Sequence, residues 1–287
     1  MRADCRIGVV QINAVVGDVQ GNLARMEAYV HQAALSGVDI LCFPECNLTG
    51  YDAAKAQTLA LPLGCQALGR CSQWAQESGI TLLVGFFEKG TAAKPFISQA
   101  VMFPDGAVQV YRKVHLGRSE KAFVEGGTEF PVFSSHGTVF GIGICWDWHF
   151  PEMATIYSLK GAEVLFAPHA SPVVSGDRRE IWLRYIPARA YDNSVYVGAC
   201  NLIGDNGEGK EFSGGALILG PKGDILAESF AGKEGITVAR ISAERVNRIR
   251  AKERASMSET FFLADRRKEL YGGLLTLEPK YYDDLCD

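Results

Sequence analysis

Short apolar runs alternate with helical stretches along this chain, and the alternation occurs twice. In the first half, residues 6–11, 38–43 and 80–87 read as buried strands. Between them, residues 22–35 space Leu23, Met26, Val30 and Ala33 at helical intervals and stop at Ser36-Gly37. A second helix over 66–77 stops at Ser78-Gly79. Residues 98–103 and 107–112 flank Pro104-Asp105-Gly106, a hairpin turn. The second half repeats the logic. Residues 139–145, 164–167 and 195–199 read as strands, with helices over 151–159, which has Pro151 in its first turn, and 177–191, which Asp177 caps. A hairpin over 216–219 and 224–228, a last strand over 236–241 and a basic helix over 243–254 complete the pattern. This predicts an α/β fold with mixed sheets, in two similar halves of one domain over 1–272, followed by a tail over 273–287. From Phe261 onward the sequence is charged and irregular. Phe261, Phe262, Leu270 and Tyr271 there need a surface to cover them, for instance on a second subunit.

A hydrophobic content of 47% over 287 residues is enough for a large core. The charge of −4 gives no electrostatic case for nucleic acid or for an anionic membrane as partner. Eight cysteines, Cys5, Cys42, Cys46, Cys65, Cys71, Cys145, Cys200 and Cys286, are scattered through the chain, several of them inside apolar runs. Buried free thiols suit a reducing compartment. No charged-then-apolar leader opens the sequence and no run is long enough to span a bilayer. The expected location is the cytoplasm.

Three strand ends bear reactive groups. The run 38–43 delivers Pro44-Glu45, the second hairpin strand ends at Lys113, and the run 139–145 ends at Cys145 before a sharp passage into the helix at Pro151. Ligands in open α/β sheets bind off the carboxyl ends of strands, so three such ends can meet in one pocket. The set is chemically coherent. Glu45 can take the thiol proton, and Lys113 can stabilise the thiolate and then the oxyanion formed on attack. The helix starting near Pro151 adds partial positive charge. Taken singly, each residue also has a plainer reading: Cys145 as core, Glu45 as a turn or cap, Lys113 as a surface charge. His115 and His149 are tempting bases, but nothing in their context marks them. A zinc set of Cys42, Cys46, Cys145 and His149 lacks a second pair to match its Cys-x3-Cys spacing.

In combination, Phe43-Pro44-Glu45, Tyr111-Arg112-Lys113-Val114-His115-Leu116 and Gly143-Ile144-Cys145-Trp146-Asp147 with Phe150-Pro151-Glu152 resemble the three motifs of the nitrilase superfamily, the carbon–nitrogen hydrolases. Tyr51 after Leu48-Thr49-Gly50, Gly161-Ala162-Glu163 before a strand, and Arg189-Ala190 with Asn193 add to the resemblance, which runs from Arg6 to about Gly272. It implies a four-layer α-β-β-α sandwich with no cofactor and no metal. It also implies Glu45 as base, Lys113 as oxyanion cation and Cys145 as nucleophile. A second glutamate orients the lysine, for which Glu120 fits better than Glu125, and the Trp146 N–H is the second oxyanion donor.

The implied reaction is hydrolysis of a small amide through a cysteine thioester, with nitrile cleavage or N-carbamoyl amide hydrolysis as alternatives and a catalytically silent binding protein as the rival class. Tyr51, Trp146, Trp148, His149 and His169 are the expected substrate-binding residues, with Phe123 as further lining. Branches that grip a substrate carboxylate carry an arginine soon after the nucleophile, where this chain has Asp147-Trp148-His149. An uncharged acyl group is therefore expected, unless Arg178 or Arg179 folds over the pocket. Asp192 stands in place of the family's usual glutamate. The apolar residues Ile181, Trp182, Tyr185 and Ile186 predict a homodimer or higher homo-oligomer.

Overall fold

A computed structural model of the chain describes residues 1–90, 93–251, 256 and 259–277. Its first half runs β1 (Cys5–Gln11), α1 (Val19–Leu35), β2 (Ile40–Cys42), α2 (Ala56–Leu59), α3 (Gln66–Ser78), β3 (Thr81–Glu88), β4 (Phe96–Met102) and β5 (Val108–Arg112). Its second half runs β6 (Phe133–Ser135), β7 (Thr138–Ile142), α4 (Pro151–Leu159), β8 (Val164–His169), α5 (Arg178–Asn193), β9 (Tyr196–Asn201), β10 (Ile203–Asp205), β11 (Glu211–Ser213), β12 (Ala216–Leu219), β13 (Ile225–Ser229), β14 (Gly235–Ile241) and α6 (Ala243–Arg250).

Two six-stranded sheets result, ordered β14-β1-β2-β3-β4-β5 and β13-β12-β9-β8-β7-β6. Each has three adjacent parallel strands, β1-β2-β3 and β7-β8-β9, where helices make the crossovers, and antiparallel hairpins outside them. The parallel strands are buried on both faces, which is why they read as continuous apolar runs. Ile7, Val9, Ile40 and Cys42 of one sheet meet Val164, Phe166, Tyr196 and Ile218 of the other in the central core. Val10 and Leu41 point the other way, onto Leu23, Met26, Val30 and Ala33 of α1 and Trp74 of α3. Trp182, Ile186 and Ala190 of α5 and Met153 and Tyr157 of α4 cover the outer face of the second sheet. The result is the expected α-β-β-α sandwich.

Caps set the helix starts. Asp18 Oδ1 accepts from Gly21 N at 2.9 Å and Asp177 Oδ1 from Glu180 N at 2.7 Å. Several expectations need correcting. β7 stops at Ile142 and does not reach Cys145, which lies in a 3-10 turn. The last helix ends at Arg250; the rest of its expected span, 252–254, lies outside the described residues. Cys286 and residues 278–287 of the tail lie outside them too. Phe261 packs under the Arg250 guanidinium at 5.1 Å, and Phe262 lies 5.6 Å from the Tyr191 ring, so both find cover in their own chain. Trp182 and Ile186, invoked above for a dimer, are fully buried in the core, because one face of α5 must close the second sheet. Among the described residues, no helix is long and apolar enough to cross a membrane.

Candidate active site

Glu45 enters the site from the end of β2, on a turn that β3 admits only because of Gly85. A Cβ at Gly85 would sit 2.3 Å from Pro44 O and 2.5 Å from Cys46 N. Directly after Glu45, Cys46 takes a left-handed backbone, φ 52°. Lys113 follows β5, its N–H held by Ile97 O at 2.8 Å. Its side chain, 1% exposed, places Nζ 2.8 Å from Glu45 Oε1 and 2.8 Å from Glu120 Oε1. One ammonium thus bridges two carboxylates. Glu120 is itself fixed by Tyr51 Oη at 2.7 Å and Gly117 N at 2.6 Å. The other oxygen of Glu45 accepts from Ala170 N at 2.8 Å, a bond that reaches from the first sheet to the loop after β8 in the second.

Cys145 also has a left-handed backbone, φ 46°, uncommon outside glycine. Asp147 holds that turn: its Oδ2 accepts from Ile144 N at 2.8 Å and from Tyr111 Oη at 2.6 Å, and its Oδ1 from His115 N at 2.8 Å. The thiol lies 3.7 Å from Ser171 Oγ, and Ser171 is held by Asn201, whose Oδ1 accepts from Ser171 N at 2.8 Å.

The carbon-nitrogen hydrolase family model matches residues 6–251. The chain belongs to this family. It is 34% identical over 288 residues to an N-carbamoylputrescine amidase of Solanum tuberosum, covering 92% of this chain and 93% of that one. It is 30% identical over 269 residues to a 2-oxoglutaramate amidase of Bacillus subtilis (strain 168), covering 92% and 98%. Among solved structures it superposes with a TM-score of 0.81, at 26% identity, on a mutant of the amidase from Nesterenkonia sp. AN1; 95% of this chain and 97% of that one are covered. In that structure the acetamide moiety of fluoroacetamide is covalently added at the active-site cysteine. This chain is a carbon–nitrogen hydrolase.

Electrostatics in this carbon–nitrogen hydrolase separate the two glutamates. Burial pushes the Glu45 carboxyl up to about 7, against the pull of Lys113 and with a further push from the Glu120 charge. Burial opposes the charge on Glu120 as well, but Lys113, Tyr51 and the Gly117 N–H outweigh it and hold that carboxyl below its ordinary value. Lys113 loses by burial and gains more from Glu45 and Glu120, so it stays firmly protonated. Burial, then the Glu45 carboxylate, pushes the Cys145 thiol up to about 12, so this group rests as a protonated thiol.

The expected lining residues divide. Trp146 is partly exposed and meets the His149 ring edge-on at 5.0 Å; His149 lies 4.9 Å from Tyr185. Phe123 is partly exposed. Tyr51 acts through Glu120. His169 is buried, with Nδ1 2.7 Å from Ala167 O; a carbonyl only accepts, so Nδ1 carries the proton and Nε2 presents a lone pair. Trp148 departs from expectation. It is fully buried among Met153, Ala154 and Leu165, and its Nε1 donates to Gly143 O at 2.6 Å, so it braces the turn from behind. Glu125 lies apart from Lys113, in a surface cleft with Phe96 and Arg112. Among the described residues no three His, Cys, Asp or Glu side chains are grouped to hold a metal ion, and Cys42 faces the Cys200 sulfur at 3.9 Å between the sheets.

Sequence reasoning missed Ser171, Asn201 and the clamp at Asp147. Ser171 follows the end of β8, so the strand-end argument applied to it as well. Of the two arginines left open, Arg179 is exposed and paired with Glu228 at 2.9 and 3.0 Å, whereas Arg178 is buried.

Proposed function

We propose that this hydrolase acts on small amides, with Cys145 as nucleophile, Glu45 as base and Lys113 as oxyanion cation. The observation that carries the reading is the single Lys113 ammonium held between Glu45 and Glu120 beside a thiol on a left-handed turn. Glu45 removes the Sγ proton as Sγ bonds to the amide carbon. The carbonyl oxygen becomes an oxyanion facing Lys113 and the Trp146 N–H. Glu45 returns the proton to the departing nitrogen, the C–N bond breaks, and a thioester remains. Water then attacks the thioester, giving its proton to Glu45. The carboxylic acid leaves and the thiol is restored.

The test is single-turnover acylation with intact-protein mass spectrometry. Wild type accumulates an acyl adduct on the peptide bearing Cys145. Cys145→Ala gives none while remaining folded, and Glu45→Gln slows acylation by about two to four orders of magnitude. An adduct on another cysteine would refute the assignment. The same assay with matched nitriles measures the competing chemistry.

We also infer a catalytic unit spanning 1–272 and a homodimer or higher homo-oligomer. In support, Leu159, Tyr271 and Leu274 are exposed and line an apolar cleft beside α4, and Leu270 is exposed as well. A monomer by light scattering at micromolar concentration would contradict it. The free, buried thiols of Cys5, Cys42, Cys46, Cys71 and Cys200 support a reducing compartment and hence the cytoplasm. Alkylation of all cysteines without prior reduction, in protein unfolded straight from cells, is the corresponding measurement.

A further inference from the structure

We propose that Arg178, with Trp182 and His169, forms a carboxylate-binding subsite beside Cys145, and that the amide substrate carries a carboxylate remote from the scissile bond. This rests on the amidase reading above and deepens it.

Arg178 opens α5 and is only 6% exposed, yet its Nε and Nη2 meet no acceptor among the described residues. Those two atoms form the edge of a guanidinium that matches the two oxygens of a carboxylate. The same molecule displays the match twice. Arg112 presents Nε and Nη2 to Glu88 at 2.8 and 2.6 Å, and Arg179 presents them to Glu228 at 2.9 and 3.0 Å. Arg112 and Arg179 do this at the surface, whereas Arg178 holds the same edge inside the protein, where an unpaired charge is costly. Its neighbour Asp177 does not pair with it, since that carboxylate caps Glu180 N.

The surroundings are those of a binding site. Trp182 lies one turn along the same face of α5, fully buried, with an Nε1 donor that has no partner among the described residues. The His169 ring lies 4.9 Å from that indole, tilted by 51° to it, and its Nε2 is likewise unpartnered among the described residues. The Arg178 stem crosses Gly215, where a Cβ would lie 3.1 Å from Cγ of Arg178 and 3.0 Å from the Phe230 ring; glycine here lets the stem and the ring close over the strand. Gly215 N–H and O belong to the network of Gln11 and Asn201 that fixes Ser171 against the thiol. Arg178 is within electrostatic reach of Cys145 and Tyr185, and His149 feels its charge. Two donors of one guanidinium edge, an indole N–H and an imidazole lone pair are thus all buried without partners among the described residues, with His169 against Trp182 and the Arg178 charge within reach of both His169 and Cys145. A carboxylate takes the three N–H donors. The lone pair of His169 accepts from a hydroxyl, amide or water beside it. The uncharged acyl group expected from Asp147-Trp148-His149 gives way, because the cation comes from the head of α5 instead.

The experiment compares ammonia release from glutaramate and from pentanamide, which has a methyl group in place of the carboxylate. Wild type should prefer glutaramate by about 100-fold in kcat/KM, mostly through KM, as expected for a charge-assisted pair. Arg178→Met should bring that preference down to a few-fold. Arg178→Lys, which keeps the charge but loses the fork, should retain about a tenth of it, and serves if the methionine variant does not fold. In parallel, glutarate should raise the Tm of wild type but not of Arg178→Met. Preference for pentanamide in wild type, or a preference unchanged in both variants, overturns the subsite and leaves the amidase reading standing. Release of no ammonia from any amide overturns both.

Discussion

Tyr111 donates its hydroxyl to Asp147 Oδ2 at 2.6 Å, tying the strand that delivers Lys113 to the turn that carries Cys145. The same carboxylate takes the Ile144 N–H at 2.8 Å and the His115 N–H at 2.8 Å, and lies 3.0 Å from His115 Nδ1. A fully buried charge is tolerable only when its lone pairs are occupied in this way. The His115 ring, stacked on Phe150 at 3.9 Å, therefore braces the elbow and has no need to act as a base.

Asp147→Asn keeps the shape but turns an NH2 group toward donors. Stability should fall by about 2–3 kcal/mol, read as a lower urea midpoint at unchanged slope. Turnover should fall with it, because the Cys145 turn loses its clamp. Wild-type stability in the variant would show that the Tyr111 contact is idle.

The acidic limb of kcat/KM should be set by Glu45. Its carboxyl, raised by burial to about 7, must be ionised to take the thiol proton. The rate is therefore present above pH about 7 and falls about tenfold per unit below it. Lys113 stays protonated well above its ordinary value, so no loss is expected on the alkaline side until strongly basic pH. A limb near the ordinary glutamate range of about 4 would contradict the assignment.

Glu120→Gln removes one of the charges that raise Glu45. The acidic limb should therefore move to lower pH, while kcat falls by less than in Glu45→Gln because the base remains. Tyr51 and Lys113 donate to Oε1 and the Gly117 N–H to Oε2, so the amide NH2 must face at least one of these donors and Lys113 is held less firmly. A limb that stays in place would mean that Glu120 and Glu45 are not electrically coupled.

Arg178→Met should stabilise the free enzyme. A buried guanidinium whose Nε and Nη2 lack acceptors is replaced by a side chain of similar length and no charge. The gain is about 1 kcal/mol or more, roughly 2–4 °C in Tm for a chain of this size. A drop in Tm would mean that the charge is already satisfied in the free protein.

Much of the architecture was legible because its boundaries are punctuated. α4 begins at Pro151 and β12 ends at Leu219, just before Gly220-Pro221, and the sequence places both to the residue. The strand into Cys145 was drawn too long because hydrophobic periodicity does not register a left-handed residue; only the backbone reveals it. Trp148 was misplaced for the same reason, since a 3-10 turn swings it behind the site rather than into it. Glu45 and Lys113 meet because each follows the end of a strand of the first sheet, whereas Cys145 lies on a turn beyond the end of β7. Whether Arg178 or Arg179 turns inward depends on which one faces β12 and which faces Glu228, a matter of helix phase that adjacent identical residues do not disclose.

Glu45 and Lys113 hang from one sheet, and Cys145, Ala170 and Ser171 from the other. Neither half of the sandwich contains a competent set by itself. Turnover is thus a gauge of how the halves sit against each other, finer than any measure of helix or strand content. Loosening the Ile7–Val9–Phe166–Ile218 seam by a single truncation such as Val9→Ala should silence the enzyme at a temperature where its far-ultraviolet circular dichroism is still that of the native protein.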